Sequence, residues 1–300
     1  MDNHQNNHNP SSRRRDLLRG MNLVLKNPLT TFGLVVILVL MMTALCAPYV
    51  APFPEQGKGQ SNLGERLLPP SIRHLMGTDN LGRDILSRII FGSRISLQAS
   101  VFVIVVVVLF GAPLGLIAGY FGGKVDEFIM RLADMVLAFP SYLLAIAIVA
   151  SLGPNLINAL IAVSVPWWPW YTRLMRSQVL SIKEQQFVES ARAVGVSKWR
   201  IMFRHILPNC LSPIIVQATL DMGYIILSVA SLGFLGLGTQ PPTADWGVMV
   251  SDGREFFMNQ WWISTFSGGA IFLTVMAFNL LGDGIREALD PKIRWRFQKG

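Results

Sequence analysis

The sequence predicts an all-α membrane protein with about six transmembrane helices. Among its 300 residues, 51% are hydrophobic and 15% are charged, whereas a water-soluble domain carries about 25% charged residues. Six mostly apolar runs approach the roughly 20 residues that a helix needs to cross a bilayer. The runs are continuous and do not alternate in polarity, so a membrane-spanning β-barrel is excluded.

The predicted spans are placed by the apolar runs and by the tryptophans at their ends. The first run is too long and too far from the start of the chain to be the core of a secretory signal. Tryptophan favours the membrane interface, and the fourth run ends just after Trp170 while the sixth begins beside Trp262. The six predicted spans are residues 29–50, 97–120, 132–152, 156–171, 211–237 and 263–281.

Basic residues predict which side of the membrane each loop faces. If residues 1–27 are cytoplasmic, six spans place the 172–209 loop and the C-terminal tail on the same side. The cytoplasmic pieces then hold about 19 of the 26 lysines and arginines, in agreement with the positive-inside rule. Arg83, Arg88 and Arg94 fall on the outer side against this rule, which long translocated segments follow less strictly. This distribution accounts for the net charge of +8, so we expect no nucleic-acid partner.

The segment between the first two spans, residues 51–96, has two parts that differ in amino-acid composition. Its first part is rich in proline and glycine and predicts a loop. Its second part predicts a helix that is capped by Thr78 or Asp79 and packs on the bundle or on the membrane surface. A spacing of four residues predicts an ion pair between Asp84 and Arg88.

The loop at residues 172–209 is long, basic and mixed in polarity. Apolar and charged residues recur in it at helical spacing, Gly195 interrupts the pattern and Pro208 ends it. This pattern predicts two short helices that meet at a turn near Gly195. So much mixed surface is typical of a docking site for another protein.

No motif for nucleotide binding or catalysis is present in the sequence. The chain has no GxxxxGK[ST] phosphate loop, no HExxH or GxSxG motif and no paired cysteines for a metal. We therefore expect no enzyme activity, no cofactor and no metal site in this chain. A membrane transport or assembly protein driven by energy from elsewhere remains, with an ion-coupled transporter or an intramembrane enzyme as alternatives.

A set of motifs in the chain resembles one family. Residues 189–195 read ESARAVG and residues 206–208 read ILP, which resembles the EAA signature of ABC-importer permeases. Ser190 replaces the second signature residue, and His205 stands at the usual isoleucine position with Ile206 after it. Together with four further motifs, the segment is similar to the C-type permease subunit of the dipeptide and oligopeptide importers. The further motifs lie at residues 77–88, 119–131, 233–247 and 279–291.

The resemblance implies a type I ABC-importer permease fold and a place in a bacterial plasma membrane. The implied partners are a second homologous permease subunit, two cytoplasmic ATPases that bind ATP and magnesium, an extracytoplasmic binding protein and membrane lipid. The implied substrate is a peptide, and glutathione, a nickel complex or an oligosaccharide are alternatives on the same scaffold. The chain then divides into a cytoplasmic N-terminal segment, a first transmembrane helix with an extracytoplasmic segment, a permease core and a cytoplasmic tail, at residues 1–27, 28–96, 97–285 and 286–300.

The resemblance also makes the 172–209 loop the segment that couples the permease to an ATPase. Glu189 can bind a basic group of the partner, Ala191 and Gly195 permit close backbone approach, and Trp199 is an aromatic anchor. The predicted coupling residues are Glu189, Ser190, Ala191, Gly195, Trp199, Ile206, Leu207 and Pro208.

One carboxylate, that of Asp221, lies deep in a predicted span. A charged side chain at the bilayer centre costs about 2.5–3.5 kcal/mol on insertion scales, so Asp221 should face the bundle interior or a water-filled path. Gln217 lies one helical turn before it and Ser228 about two turns after it, which predicts a polar stripe. Two roles remain open, an interhelical hydrogen bond and a translocation path lined by Asp221 and Gln217.

Overall fold

The protein is built from helices, as the sequence predicted. The computed structural model describes residues 27–289, so the basic N-terminal segment and most of the predicted tail lie outside the described residues. Within residues 27–289 every regular element is a helix, apart from an isolated bridge between Thr78 and Asp84. The main helices are α1 (Pro28–Leu45), α2 (Ile85–Phe121), α3 (Gly123–Leu137), α4 (Ser141–Leu152), α5 (Leu156–Ile182), α6 (Gln186–Ala193), α7 (Lys198–Phe234), α8 (Trp246–Gly253) and α9 (Trp262–Leu289). Single-turn helices lie at Ala47–Val50, Pro54–Gly57, Leu63–Glu65 and Arg254–Phe256.

Four of the described helices, α1, α2, α7 and α9, are long and apolar enough to cross a membrane. Helices α3 and α4 together qualify as one bent span, which gives five. Helix α5 has 27 residues, but Pro166, Pro169 and its tryptophans lower its mean hydropathy. The all-helical membrane fold is confirmed, and length and composition support four or five spans where about six were predicted.

The third predicted span is not one straight helix. Helices α3 and α4 are bent by 82° at residues 138–140. Pro140 explains the break, because proline disfavours helical backbone at the residue before it and lacks the N–H of a helix interior. A bidentate ion pair between Arg176 and Asp126, with N–O distances of 2.5 and 2.6 Å, ties α3 to α5.

Helices α2 and α5 pack along a seam of small residues. Gly111, Gly115 and Gly119 lie four residues apart on one face of α2. A Cβ atom on Gly115 would lie 2.2 Å from the carbonyl oxygen of Thr172, and one on Gly111 would lie 2.6 Å from that of Trp168. The hydroxyl of Thr172 donates to the carbonyl oxygen of Gly111 over 2.9 Å. Because glycine has no side chain, the backbones of α2 and α5 come close together, as they do at small residues in other membrane helix bundles.

The contact between α1 and α2 shows that these helices run in opposite directions. The guanidinium of Arg94, in the first third of α2, donates to the carbonyl oxygens of Ala44 and Leu45 at the end of α1, over 2.5 and 3.0 Å. The end of α1 and the start of α2 therefore lie at the same end of the bundle, which we call the top.

The opposite end of the bundle, which we call the base, gathers three parts of the chain. Asn27, before α1, donates to the carboxylate of Glu287 near the end of α9 over 3.5 Å. Lys183, after α5, donates to the carbonyl oxygen of Gly119 near the end of α2 over 3.0 Å. The start of α1, the end of α9 and the segment after α5 therefore share the base.

At the top, a buried carboxylate fixes the start of α2. Asp84 accepts from the N–H of Ser87 over 2.8 Å and from its hydroxyl over 2.7 Å, and it lies 2.9 Å from Nδ1 of His74. The cap of α2 is therefore Asp84, and the predicted caps Thr78 and Asp79 lie in the preceding turn.

The predicted ion pair between Asp84 and Arg88 is wrong, because the cap and His74 occupy the carboxylate of Asp84. The guanidinium of Arg88 is buried and lies 3.6 Å from the carboxylate of Asp79 instead. It also donates to the carbonyl oxygen of Pro242 over 3.4 Å. Arg88 thus links the start of α2 to the loop before α8.

Candidate functional site

The segment after α5 folds as two helices joined by a tight turn, as predicted. Helix α6 ends in a Schellman motif, in which the N–H of Gly195 donates to the carbonyl oxygen of Arg192 over 3.0 Å and that of Val196 to Ala191 over 3.1 Å. Gly195 has a φ of +77°, in the left-handed region that glycine adopts without strain. No atom lies within 4 Å of its Cβ position, so the backbone angle and not crowding selects glycine here.

One face of this segment is buried in the chain's own core. The buried side chains are those of Val188 and Ala191 in α6 and of Ile201, Met202 and Ile206 in α7. They belong to the same apolar cluster as the end of α5, and the area that they remove from water stabilises the attachment to the base. Two predicted coupling residues, Ala191 and Ile206, therefore hold the segment in place and do not face outward.

The opposite face is exposed and aromatic. Val194 is 78% exposed, Trp199 57% and Phe203 53%. The ring of Trp199 stacks on Phe203 with ring centres 6.1 Å apart, and it meets Phe121 edge-on at the same distance. Exposed apolar surface of this extent marks interaction sites, and tryptophan is enriched among the residues that dominate interface energies.

The polar residues of α6 that were predicted to couple to a partner lie at the surface of the segment. Glu189 and Ser190 are both exposed. Arg192 is exposed as well, and its guanidinium lies 5.7 Å from the ring centre of Tyr120 at the end of α2. The segment therefore exposes charged groups of both signs in addition to its aromatic face.

The sequence did not predict the turn of π-helix at Ile201–Ile206. A π turn joins residues five apart instead of four, so it accommodates one extra residue in a helix. The turn contains His205, which stands at the usual isoleucine position of the signature, and it directly precedes Leu207 and Pro208. Ile206, at the end of the π turn, is fully buried in the core.

Pro208 does not end the segment, in contrast to the prediction. Helix α7 runs without interruption over Lys198–Phe234, and Pro208 lies exposed in the first turn of its regular α-helical part. Proline lacks the N–H of a helix interior, and here it lies just after the π turn at Ile201–Ile206, where the regular bonding pattern of α7 is already altered. Leu207, beside it, is half-buried, so the end of the signature is the beginning of a span.

A second predicted site lies in the middle of α7. Asp221 is 7% exposed and accepts from the hydroxyl of Tyr171 over 2.7 Å and from the amide of Gln217 over 2.9 Å. Ser228 instead donates to the carbonyl oxygen of Tyr224 over 2.9 Å, so the polar stripe does not extend to it. Gln217 is exposed. The carboxylate of Asp221 therefore accepts one buried hydrogen bond, from Tyr171 of α5, and a second one from an amide at the surface. The sequence missed Tyr171, which it placed at the end of a span.

The match to known proteins decides the family. Residues 111–295 match the family of binding-protein-dependent transport system inner membrane components. The chain belongs to this family. Residues 24–70 match, in addition, the N-terminal transmembrane domain of oligopeptide transport permease C.

Relatives align along most of the chain. The dipeptide transport system permease protein DppC of Alkalihalophilus pseudofirmus is 49% identical over 90% of this chain and 88% of its own length. The probable D,D-dipeptide transport system permease protein DdpC of Escherichia coli is 44% identical over 89% and 88%. The glutathione transport system permease protein GsiD of Pectobacterium atrosepticum is 45% identical over 86% and 85%.

A solved structure has the same fold. A chain of the MetNI methionine ABC transporter in inward facing conformations matches with a TM-score of 0.56 and 17% identity, over 69% of this chain and 98% of that chain. At this identity the likeness concerns the fold alone, and it confirms the expected type I ABC-importer permease fold.

Proposed function

We propose that this chain forms half of the translocation path of an ATP-driven importer of peptides. Two of the relatives above are named for dipeptides and one for glutathione, which is a tripeptide. These names support a short peptide as the substrate, with glutathione as the alternative. None of the three argues for a nickel complex or an oligosaccharide.

The energy for transport comes, in this proposal, from partner subunits. Two cytoplasmic ATPases bind ATP and magnesium and dock at the base, a second homologous permease supplies the other half of the path, and an extracytoplasmic binding protein delivers the substrate. The main support for this proposal is the segment after α5, which contains α6 and the start of α7 and which we call the coupling segment. One of its faces is fixed in the core, whereas its aromatic face is exposed. A surface fixed in this way can transmit a movement of the docked partner to α7.

The predicted coupling residues divide into two roles in this proposal. Glu189, Ser190 and Trp199 are exposed and contact the ATPase, whereas Ala191 and Ile206 attach the segment to the core. The remaining three residues, Gly195, Leu207 and Pro208, set the turn and the entry into α7.

In this proposal the chain lies in a bacterial plasma membrane, with the base of the bundle on the cytoplasmic side and the top on the outer side. The basic side chains of the described base support this orientation. The chain then has the four-part division expected from the sequence. These basic residues lie in the second half of α5, directly after it, and in the coupling segment: Arg173, Arg176, Lys183, Arg192, Lys198, Arg200 and Arg204.

We propose in addition that Asp221 and Gln217 contribute to the translocation path. An amide exposed in the middle of a span is costly against lipid, and Gln217 is such a group. It therefore faces the path or the second permease, and the carboxylate of Asp221 lies directly behind it, 2.9 Å from its Nε2.

Uptake by a reconstituted complex tests the function. The four kinds of subunit are reconstituted in proteoliposomes and supplied with labelled dipeptides, with and without ATP in the compartment of the ATPases. The proposal expects uptake that needs both ATP and the binding protein. Uptake driven by an ion gradient without ATP would contradict it.

Thiol labelling of intact cells tests the orientation. Cys46 and Cys210 are first replaced by serine, and single cysteines are placed at the exposed positions Ser181 and Gln240. An impermeant reagent should label the cysteine at 240 and not that at 181. The reverse pattern would overturn the orientation.

A further inference from the structure

The segment before α2 contains a hairpin whose tip carries an almost fully exposed isoleucine, Ile72. The N–H of Asn62 donates to the carbonyl oxygen of Leu81 over 2.9 Å, which joins the two limbs of residues 62–81. At the tip, the N–H of Ser71 donates to the carbonyl oxygen of His74 over 2.8 Å and closes a tight turn. We call residues 62–81 the top hairpin.

Buried groups hold the top hairpin in a fixed position. His74 is 1% exposed, and its Nδ1 lies 2.9 Å from the carboxylate of Asp84, the cap of α2. The indole N–H of Trp262, the first residue of α9, donates to the carbonyl oxygen of Thr78 over 3.2 Å. The hairpin is therefore anchored to two long helices, and its tip is presented in one orientation.

The exposed surface of the top hairpin is apolar. Ile72 at the tip is 99% exposed, Leu63 is 64% exposed and Leu75 is 61% exposed. Pro69 and Pro70, between them, are also exposed. Single exposed apolar residues are common, but these lie together on one fixed hairpin, and we call their exposed surface the patch; exposed apolar surface of this kind marks interaction sites.

We infer that the patch lies outside the bilayer, because it sits beyond the end of the first candidate span, Pro28–Leu45. The contact of Arg94 with the end of α1 marks the outer edge of the first span. Helix α2 begins at Ile85, nine residues earlier, which is about 13 Å further out at a rise of 1.5 Å per residue. The headgroup layer extends only about 5–7 Å beyond the apolar core. The hairpin packs on this protruding end of α2 and lies in the water layer.

Basic groups border the patch and indicate the charge of its partner. Arg66 is exposed, whereas Arg73, with a side chain that is 68% exposed, forms an ion pair with Glu65, so Arg66 carries the basic charge offered to a partner. An apolar centre with arginines at its edge fits a soluble protein whose own apolar patch is bordered by carboxylates. The family is named for its dependence on a binding protein, and such a protein approaches from the outer side.

We propose that the top hairpin is a docking surface for the extracytoplasmic binding protein, with Ile72 inserted into an apolar patch and Arg66 opposite an acidic edge. This proposal rests on the proposed function and assigns a surface to one of its partners. The occupant is a folded, water-soluble protein, and neither lipid nor the second permease.

The test measures binding of the purified binding protein to the complete importer complex in lipid nanodiscs. Ile72→Asp should raise the dissociation constant at least tenfold, because a carboxylate would enter an apolar contact. Arg66→Glu should slow association several-fold, with a larger effect at low salt. Met258→Asp is the matched control, because Met258 is 92% exposed outside the hairpin, and we expect a change below twofold.

The outcomes separate this inference from the proposed function. Wild-type binding by Ile72→Asp, with ATP-driven uptake intact, would overturn the docking surface alone. Loss of the second permease from the purified Ile72→Asp complex would overturn it too, since the hairpin would then belong to the contact between permeases. A wild-type complex that neither binds the binding protein nor takes up peptide would overturn the proposed function itself. Ile72 is almost fully exposed, so its replacement leaves the fold of the chain intact.

Discussion

The seam between α2 and α5 and the turn of the coupling segment both depend on glycine, but for different physical reasons. In the seam, a Cβ atom on Gly115 would lie 2.2 Å from a backbone oxygen of α5. In the turn, the Cβ position of Gly195 is open, but its φ of +77° is one that L side chains rarely adopt. Glycine saves space in the first region and avoids backbone strain in the second.

The difference separates stability from function. The seam joins the buried faces of two long helices, so a larger residue at Gly115 acts on the folding of the whole bundle. The turn lies at the surface of the base, so a larger residue at Gly195 changes the geometry of the coupling segment while the bundle stays folded. Substitutions of the same residue type should therefore fail in different assays.

The largest effect is expected for Gly115→Ala. The new methyl group meets the backbone of Thr172, which cannot rotate away, and overpacking of this kind costs about 1–3 kcal/mol or more. We expect a lower yield of assembled complex and a thermal midpoint several degrees lower. The measurement is thermal unfolding of the purified complex.

Gly268→Ala is the matched control for this substitution. Gly268 lies in α9 and has nothing within 4 Å of its Cβ position, and alanine favours a helix over glycine by about 1 kcal/mol. We expect unchanged or slightly higher stability. Equal stability of both variants would contradict a space-limited seam.

Gly195→Val should abolish import while the chain still inserts and pairs with the second permease. The left-handed conformation costs roughly 1–2 kcal/mol for a residue with a Cβ atom, and a β-branched residue tolerates it least. The turn would therefore shift to another conformation. Uptake and stimulated ATP hydrolysis by the reconstituted complex measure the effect.

Gly195→Asn sharpens this comparison, because asparagine visits the left-handed region more readily than valine does. We expect it to retain most of the import activity. Normal coupling by the valine variant would show that the conformation of the turn is not needed.

Glu189→Lys should weaken the contact with the ATPase and leave the stability of the permease unchanged. Glu189 is exposed, and reversing a charge at the edge of an interface acts mainly on association and its salt dependence. We expect a several-fold loss of ATPase affinity at low salt, and a smaller loss for Glu189→Gln. An unaltered affinity for the lysine variant would argue against this contact.

The smallest effect on assembly is expected for Asp221→Asn. This variant tests whether a buried residue between α5 and α7 also has a role in transport. The amide keeps the shape and part of the hydrogen bonding of Asp221 but loses the charge. Import of positively charged dipeptides should fall more than import of neutral ones, with assembly and ATP hydrolysis intact.

Tyr171→Phe provides the counterpart to this variant. It removes the bond between α5 and α7, at a cost of about 1.5–3 kcal/mol for a bond to a charged acceptor, and keeps the charge of Asp221. If the charge serves the path, selectivity should be retained. Equal import of all dipeptides by Asp221→Asn would leave Asp221 with a structural role alone.

Local patterns were predicted correctly where neighbours in the chain decide the outcome. The turn at Gly195 and the apolar span of α1 are such features, because backbone preference and hydropathy act over a few residues. Pro140 was visible too, but a continuous apolar run concealed that it breaks the third predicted span. Pro208 was misread in the opposite direction, because α7 continues through it just after the π turn at Ile201–Ile206.

The sequence by itself determined the membrane character, the helical class and the position of the two helices that meet at Gly195, because hydropathy, composition and motif spacing are properties of the linear chain. Only the tertiary structure decided which partner each buried polar group takes. Arg88 contacts Asp79 and not Asp84, and Asp221 is bonded to Tyr171, 50 residues away. These contacts depend on how distant helices pack, and the closeness of that packing is set at Gly115 by a carbonyl oxygen of another helix.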